Sequence, residues 1–562
     1  MSKIVSITKE QLTNLIKTAM EKAIAAGELP EAQLPAFTIE RPNDRSHGDW
    51  ATNAAMAGAR AFRQAPRKIA ETIVAHMELD GTYFSRCEIA GPGFINFFLS
   101  PSFNADVLVD VNTLGDDYGH SNYGEGKKVL IEFVSANPTG PMHIGNARGG
   151  AIGDCLASVM QAAGYETHRE FYVNDAGNQI EKFATSLEVR YLQIYDPSVE
   201  MPEDAYHGKD IIAHAENFSK EFGDKYVSCE SQERRDALVA FALPKNIEGL
   251  ENDLKKYRIV YDKWFKESTL HGDGSVKYVI EKMKESGNTY EKDGALWFKA
   301  TDFGNEKDIV LVRDNGIPTY IVPDIAYHYN KLVTRGYDKA INILGADHHG
   351  YIARLKGALE AFGVDSSKLD IVIMQMVRLV SGGETIKLSK RSGKAITLNT
   401  LLDEIPIDAA RFFFNLREPN SQFDFDLDLA ISESSQNPVY YVQYAHARIC
   451  SILRTLKEDG IEPKACGLEE LSLLTAEEEL DLIHHIAAYT DEIVASAKDY
   501  NPARITNYVV TLATLFHKFY NACRVRVEHE KLMQARLYLC TAAATVIRNV
   551  LTMFKISVPE SM

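Results

Sequence analysis

The sequence predicts a multidomain chain. An α/β N-terminal domain (1–112) precedes a Rossmann-like parallel α/β domain (113–431) with an insertion at about 186–300, and an all-α domain (432–562) follows. Three observations predict this. The run Val129–Val134 is β-branched and aromatic, breaks at Pro138, Gly140 and Pro141, and yields after Gly145 to a helix-compatible stretch, Ala147–Ala163. That is how a buried parallel strand feeds a crossover helix. Further strand-like runs at Glu170, Ile309, Ile341 and Asp370 alternate with helical patterns, the mark of a layered α/β domain. From about residue 432 the chain keeps helical spacing to its end.

The elements follow in order. In the first unit, helical spacing begins after a capping threonine, Thr8, and Phe37-Thr-Ile-Glu40 reads as a strand. Asp49-Trp-Ala-Thr-Asn53 is expected to open a helix, and Pro66 to start the next at the first-turn position that tolerates proline. Ile89–Leu99 closes the unit as a strand entered through a tight turn, with Phe94, Phe97 and Phe98 expected in the core. The insertion is charged and helical, with Tyr206-His-Gly-Lys209 and Val260–Glu267 as landmarks. Its simplest role is scaffolding, and that of Trp264 and Phe265 is packing. Pro438–Arg448 and Leu515–Val525 place tyrosines and arginines at helical spacing in the last domain.

Composition narrows the class. No stretch approaches the ~18 continuous apolar residues of a membrane span, and the first residues lack a secretory pattern. Seven cysteines are scattered without a C-x-x-C pair, so neither zinc ribbon nor disulfide framework is supported, and a reduced, cytoplasmic protein is expected. The net charge of −17 argues against a nucleic-acid partner only on average, because a local basic track is compatible with an acidic total.

Two segments carry chemistry. Ser135-Ala-Asn-Pro-Thr-Gly-Pro-Met-His143-Ile-Gly-Asn146 joins a strand to a helix N-terminus, where free N–H groups and the dipole favour phosphate. It is neither G-x-G-x-x-G nor a Walker A loop, and offers an imidazole, His143, followed by an unobstructing glycine. Far downstream, Ile386-Lys-Leu-Ser-Lys390-Arg-Ser-Gly-Lys394 gathers four cations. Read alone it is a solvated basic loop, yet Lys387 and Lys390 are what phosphoryl chemistry needs. Glu132 sits inside an apolar strand and requires a cation, either an internal partner or a ligand. Tyr320 and Asp324 stand four apart. Asp347-His348-His349 lacks the third ligand of a metal site.

Together, Ser135–Asn146, Gly345-Ala-Asp-His-His-Gly350 and Lys387-Leu-Ser-Lys-Arg-Ser-Gly-Lys394 resemble the signatures of class I aminoacyl-tRNA synthetases, and within them the arginyl-tRNA synthetases of bacterial type. The resemblance runs nearly end to end. It implies a catalytic domain that activates L-arginine with ATP and transfers it to tRNA(Arg), with Mg²⁺ carried by the nucleotide and no dedicated protein metal site. His143, Lys387 and Lys390 are then the catalytic residues. Gly145 and Asn146 meet ATP with them, Gly345 and Asp347 meet its ribose, and Met376 and Val377 its adenine. Ser135 and Asn137 would hold the α-amino and carboxylate groups of arginine, with Glu132, Tyr320, Asp324 and His348 around the rest. The resemblance further implies that the first domain touches the tRNA corner, tested at Asn96, and that the insertion lies beside the acceptor end. The last domain would bind the anticodon through Tyr440, Tyr444, Arg448 and Arg524. A monomer without membrane partners is expected. Asn146 departs from the family, which usually has histidine there, so any role of that second imidazole is not carried over. The rivals are a class I synthetase for another amino acid, a nucleotidyltransferase of the same superfold, and a non-catalytic tRNA-binding relative.

Overall fold

The computed structural model describes residues 3–42, 44–386 and 396–562. The N-terminal unit comprises α1 (Lys3–Ala25), β1 (Ile39–Glu40), β2 (Trp50–Thr52), α2 (Ala54–Phe62), α3 (Pro66–Ala75), β3 (Phe84–Ala90) and β4 (Phe94–Leu99), its sheet running β1-β2-β4-β3. Three expectations are corrected here. Thr8 lies inside α1, where its hydroxyl donates to the Ile4 carbonyl at 2.7 Å and caps nothing. Trp50–Thr52 is a buried strand paired with β4, and the helix starts only at Ala54. Asn96, expected to meet tRNA, is 5% exposed. Its strand is an interior one with partners on both edges, and its neighbours Ile95 and Phe97 are fully buried on either side. Pro66 does begin α3, and Phe97 is core, whereas Phe94 and Phe98 are half-buried.

α4 (Pro101–Leu114) leads into β5 (Lys128–Glu132), α5 (Ile144–Ala162) and β6 (Glu166–Val173). Then come α6 (Asn178–Tyr195), α7 (Lys209–Phe222) and α8 (Ser231–Lys256), a limb with its own small core around Phe183, Tyr191 and Phe218, before β7 (Lys263–Lys266). α9 (Glu267–Gly272), α10 (Ser275–Glu285) and the antiparallel strands β8 (Thr289–Lys292), β9 (Ala295–Phe298) and β10 (Ile309–Val312) precede α11 (Ile321–Tyr329). β11 (Lys339–Gly345), α12 (Ile352–Phe362) and β12 (Leu369–Met374) complete the main sheet. Its five strands are all parallel, in the order β12-β11-β5-β6-β7. Two strands fall elsewhere than expected. Ile309–Val312 pairs in the small antiparallel sheet, and Lys263–Lys266, inside the expected insertion, is an edge strand of the main one, Trp264 stacking on Phe171 at 4.2 Å.

The order reverses between β5 and β11, so a crevice forms outside their carboxyl ends. α5 packs tightly over β5, and at Gly153 a Cβ would come within 2.2 Å of the Phe133 ring. Beyond β12 come β13 (Val377–Ser381), β14 (Glu384–Ile386), α13 (Leu398–Glu404), α14 (Ile407–Phe413), β15 (Phe423–Asp426) and α15 (Leu427–Ile431). The chain ends in α16 (Pro438–Glu458), α17 (Leu468–Leu471), α18 (Glu477–Ala487), α19 (Tyr489–Asp499), α20 (Ala503–Ala522) and α21 (Glu530–Met553). These helices pack on α4 and α5, and Asp154 of α5 is a hub between them, pairing with Arg169, Arg411 and Lys555. No helix among the described residues is long and apolar enough to cross a membrane.

Candidate active site

A cleft of about 860 Å³ occupies the crevice beyond β5 and β11. Its floor is the turn leaving β5. Val134 and Ser135 take left-handed backbone angles (φ 68° and 42°), which for a β-branched valine costs about 1–3 kcal/mol and persists only where neighbours enforce it. The enforcing contacts are visible. The Tyr261 hydroxyl donates to the Phe133 carbonyl at 2.9 Å, and the Ser135 hydroxyl donates to Glu132 Oε1 at 3.0 Å while accepting from Tyr172 N–H at 3.1 Å. The turn thus delivers Asn137, Thr139 and Gly140 to the cleft, with the Pro138 carbonyl held by Asn246 of α8 at 2.9 Å.

On one side stands the N-terminus of α5. His143 is its N-cap, with the side chain exposed at the cleft. Asn146, three residues on, accepts the His143 N–H at 2.9 Å, completing one half of a capping box. This is a structural task for the amide at this position. Arg148, fully buried, donates to the carbonyls of Gln375 (2.8 Å), Ser421 (3.0 Å) and Glu418 (2.9 Å), tying the start of α5 to the chain beside Met376. Gly145, Asn146, Gly345, Asp347 and Met376 all line the cleft, and at Gly345 a Cβ would lie 2.5 Å from Asp347 Oδ1. Val377 begins β13 and is not among the lining residues. Thr397 forms an antiparallel bridge with His143, and Leu398 N–H donates to the Met142 carbonyl at 2.9 Å. Lys387 and Lys390 lie outside the described residues.

The other side is acidic. Asp324, in the first turn of α11, accepts a hydrogen bond from the Tyr351 hydroxyl and has no ion pair among the described residues. Burial, with Glu132 and Glu267 nearby, pushes its carboxyl up to about 7, against the Tyr351 bond and Lys331, which act to lower it. His328, buried one turn on, donates from Nδ1 to the Asp324 carbonyl (2.7 Å) and accepts from Asn342 at Nε2 (2.9 Å). Burial and the nearby Lys331 drive it down to about 3, so it stays neutral. Glu132 lines the cleft, and its requirement for a cation is met from within by Lys331, Nζ to Oε2 at 2.5 Å. His348 lines the cleft, 3.6 Å from Asp347. Tyr320, by contrast, is 63% exposed, its ring against Tyr351 at 5.5 Å, and does not line the cleft.

Sequence reasoning missed Lys331, His328 and Tyr351. The first two are foreshadowed by Asp324, Tyr327, His328, Lys331 and Arg335 recurring at helical spacing. It also read Tyr206–Lys209 as a landmark only, whereas Tyr206, His207, Gly208, Asp210 and Ile211 of the limb form a wall of the cleft. Asp175, at the end of β6, is taken up by Ser268 N–H and hydroxyl, both at 2.8 Å.

A second concavity, about 850 Å³, lies between α16, α20 and the C-terminus. Tyr444, Arg448 and Arg524 line it together with Tyr520, Arg454 and Arg526. Tyr440 stacks on Tyr444 at 6.5 Å, and the Arg448 guanidinium sits 4.4 Å over the Tyr520 ring.

Comparison with known proteins accords with this geometry. Three family models tile the chain: the arginyl tRNA synthetase N-terminal domain over residues 10–99, the class I (R) tRNA synthetase catalytic domain over 110–448 and the DALR anticodon binding domain over 442–562. The chain is 53% identical, over the whole of both sequences, to the arginine–tRNA ligase of Caldanaerobacter subterraneus subsp. tengcongensis. It superposes with a TM-score of 0.74 and 32% identity on an arginyl-tRNA synthetase of Campylobacter jejuni, over 83% of this chain and all of that one. The Thermus thermophilus arginyl-tRNA synthetase shares the fold with a TM-score of 0.72 at 21% identity, over 97% of this chain and 99% of that one. The chain belongs to the arginyl-tRNA synthetases, class I enzymes that join arginine to tRNA.

Proposed function

We propose that the cleft holds L-arginine on its acidic side and ATP against α5, so that the arginine carboxylate attacks the α-phosphorus in line. The observation that carries this is the opposition of Asp324, a carboxylate with no ion pair among the described residues, to His143 and the N-terminus of α5 across one cavity. A guanidinium satisfies Asp324 with paired N–H bonds and draws it into its ionised form. Ser135 and Asn137 are assigned the α-amino and carboxylate end, His348 and the Tyr320–Tyr351 pair the cleft's rim. No protein nucleophile is required, so catalysis rests on position and charge. His143 and the helix amides hold phosphate oxygens. Gly345 and Asp347 take the ribose, and Met376, with the backbone of Val377, takes the adenine.

Lys387 and Lys390 are assigned the departing pyrophosphate on the sequence signature alone, and the next described segment returns to His143 through Thr397. Mg²⁺ enters on the nucleotide as part of the substrate, and among the described residues no three His, Cys, Asp or Glu side chains converge to cage it. In the second step the terminal ribose hydroxyl of tRNA(Arg) takes the arginyl group from the arginyl-adenylate, releasing AMP, beside the wall formed by Tyr206–Ile211. The groove of Tyr444, Arg448 and Arg524, with Tyr440 stacked on Tyr444 beside it, fits an unstacked anticodon, which arginines and tyrosines receive by stacking and edge contacts. We read the enzyme as a cytoplasmic monomer, which sedimentation tests directly. The decisive assay is amino-acid-dependent pyrophosphate exchange across the twenty amino acids, with and without tRNA. Exchange is expected with arginine alone and only when tRNA is present, and exchange driven by another amino acid rejects the assignment.

A further inference from the structure

The segment after Asp324 does something a plain helix would not. α11 gives way at Asn330–Thr334 to a π-turn, a widening that recurs at functional sites. From this turn Lys331 points fully buried into the protein. Its ammonium lies 2.5 Å from Glu132 Oε2, 3.1 Å from Asn342 Oδ1 and 3.9 Å from the centre of the Tyr327 ring. Every direction of the charge is therefore occupied from within.

A purely structural role explains this poorly, because a buried ion pair gains little net stability over apolar packing. The same segment shows what an anchoring pair looks like. Arg335 grips Glu170 through both carboxylate oxygens, Tyr327 adds its hydroxyl to the same group at 2.8 Å, and Glu170 is wholly buried and away from the cleft. Glu132 differs in lining the cleft, with its second oxygen set by Ser135. The charged groups that meet here are Glu132 from β5, Asp324 and Lys331 from the α11 segment and Glu267 from α9. His328 contributes no charge. Without Lys331, Glu132 and Asp324 would face one small volume with no ion-pair partner for either among the described residues, while Glu267 has His271 at 3.4 Å. Like charges at such range cannot all ionise.

We propose that Lys331 is a specificity-determining positioning residue: a resident ammonium that balances the charge of Glu132 and aims it, so that the pocket is complementary to one planar guanidinium and not to a second ammonium or a neutral side chain. This rests on the arginine pocket proposed above. Lys331 touches no substrate: it acts by aiming Glu132 and, as a neighbouring cation, on the titration of Asp324.

The test uses the full-length enzyme with tRNA, reading pyrophosphate exchange and thermal unfolding for Lys331→Met, Lys331→Arg, Glu132→Gln and the Glu132→Gln/Lys331→Met double variant. Truncating one partner of a buried charge pair is expected to raise the KM for arginine at least about thirtyfold, with the KM for ATP changed less than about twofold. The acid limb of kcat/KM for arginine should move to higher pH, because Asp324 loses a neighbouring cation. Discrimination against lysine and citrulline should fall, and Lys331→Arg should restore it at least in part. Above the acid limb the double variant should be no worse than Glu132→Gln alone, since there Lys331 acts through that carboxylate. A Lys331→Met enzyme that unfolds earlier yet keeps its arginine KM and pH limb overturns the proposal. So does a double variant that adds the two losses, and this comparison decides the matter if Lys331→Met alone does not fold. Wild-type enzyme inert towards arginine would reject the pocket reading itself and not the role of Lys331 within it.

Discussion

Two aspartates, Asp154 fully buried and Asp324 half-buried at the cleft, are treated in opposite ways. Asp154, at the middle of α5, is surrounded: Arg411 Nη2 lies 2.5 Å from Oδ2, and Lys555 Nζ (2.7 Å) and Arg169 Nε (2.9 Å) meet Oδ1. Burial acts to raise its carboxyl, but Arg411, Lys555 and Arg169 outweigh it and hold the group below the usual carboxylate range. Asp324 receives one hydroxyl and no ion pair among the described residues, and burial lifts it to about 7. The first carboxylate is saturated by the chain and so serves cohesion, joining β6, α14 and the residues after α21 to the catalytic helix. The second is left incomplete, and in the proposed reading its partner is the substrate guanidinium. Incomplete electrostatics is what a binding site looks like before its ligand arrives.

The comparison can be broken from either end. The largest effect is expected from Asp154→Asn, which strands the buried Arg411. The loss should be about 3–5 kcal/mol of stability, seen as a lower unfolding temperature, with the KM for arginine unchanged in the protein that remains folded. A thermally neutral Asp154→Asn would remove the hub. Next, Asp324→Asn should lower kcat/KM for arginine by about 2–5 kcal/mol of transition-state stabilisation and leave ATP affinity intact, and equal loss of both would point to misfolding. His143→Ala should cost about 10²–10³ in kcat, as for other groups that stabilise developing charge, with little change in the KM for arginine.

The two aspartates also have opposite pH signatures. Asp154 is depressed, so its contribution is present above the unfolded value of 3.8 and is lost only as pH falls through the lower folded value. Asp324 is raised, so between 3.8 and about 7 the folded state holds the extra proton and the ligand-free protein loses stability as pH climbs through that window. In the proposed pocket, arginine needs the ionised form. Its KM should therefore rise as pH falls below about 7, up to tenfold per unit, while the KM for ATP stays flat; parallel curves for both substrates would sink the assignment. The smallest effect concerns the distant groove. Arg524→Ala should weaken tRNA binding severalfold and reduce its salt dependence by about one charge, without altering arginine affinity.

Much of the site was legible beforehand because its signals are local. A strand, a proline- and glycine-broken turn and a helix start stand consecutively from Val129 to Ala147, so the placement of His143 follows from neighbours in the chain. The alternation of strands and helices likewise foretold the parallel sheet. Other features were not legible. Tyr320 and Asp324 share helical spacing, but Tyr320 caps α11 from outside and turns to solvent. Asn96 has the composition of a contact residue and the position of a core one. Trp264 and Phe265 looked like insertion packing and proved to extend the main sheet.

The sequence by itself determined that a carboxylate in an apolar strand must find a cation, because burying an unpaired charge is too costly for any fold to tolerate. Only the tertiary structure decided which cation. Lys331 reaches Glu132 because the β5–β11 pairing and the π-turn after α11 converge at one point, across a separation of 199 residues. Periodicity and turn chemistry are written into neighbouring residues. The pairing of charges depends on how distant segments cross, and no local pattern encodes that.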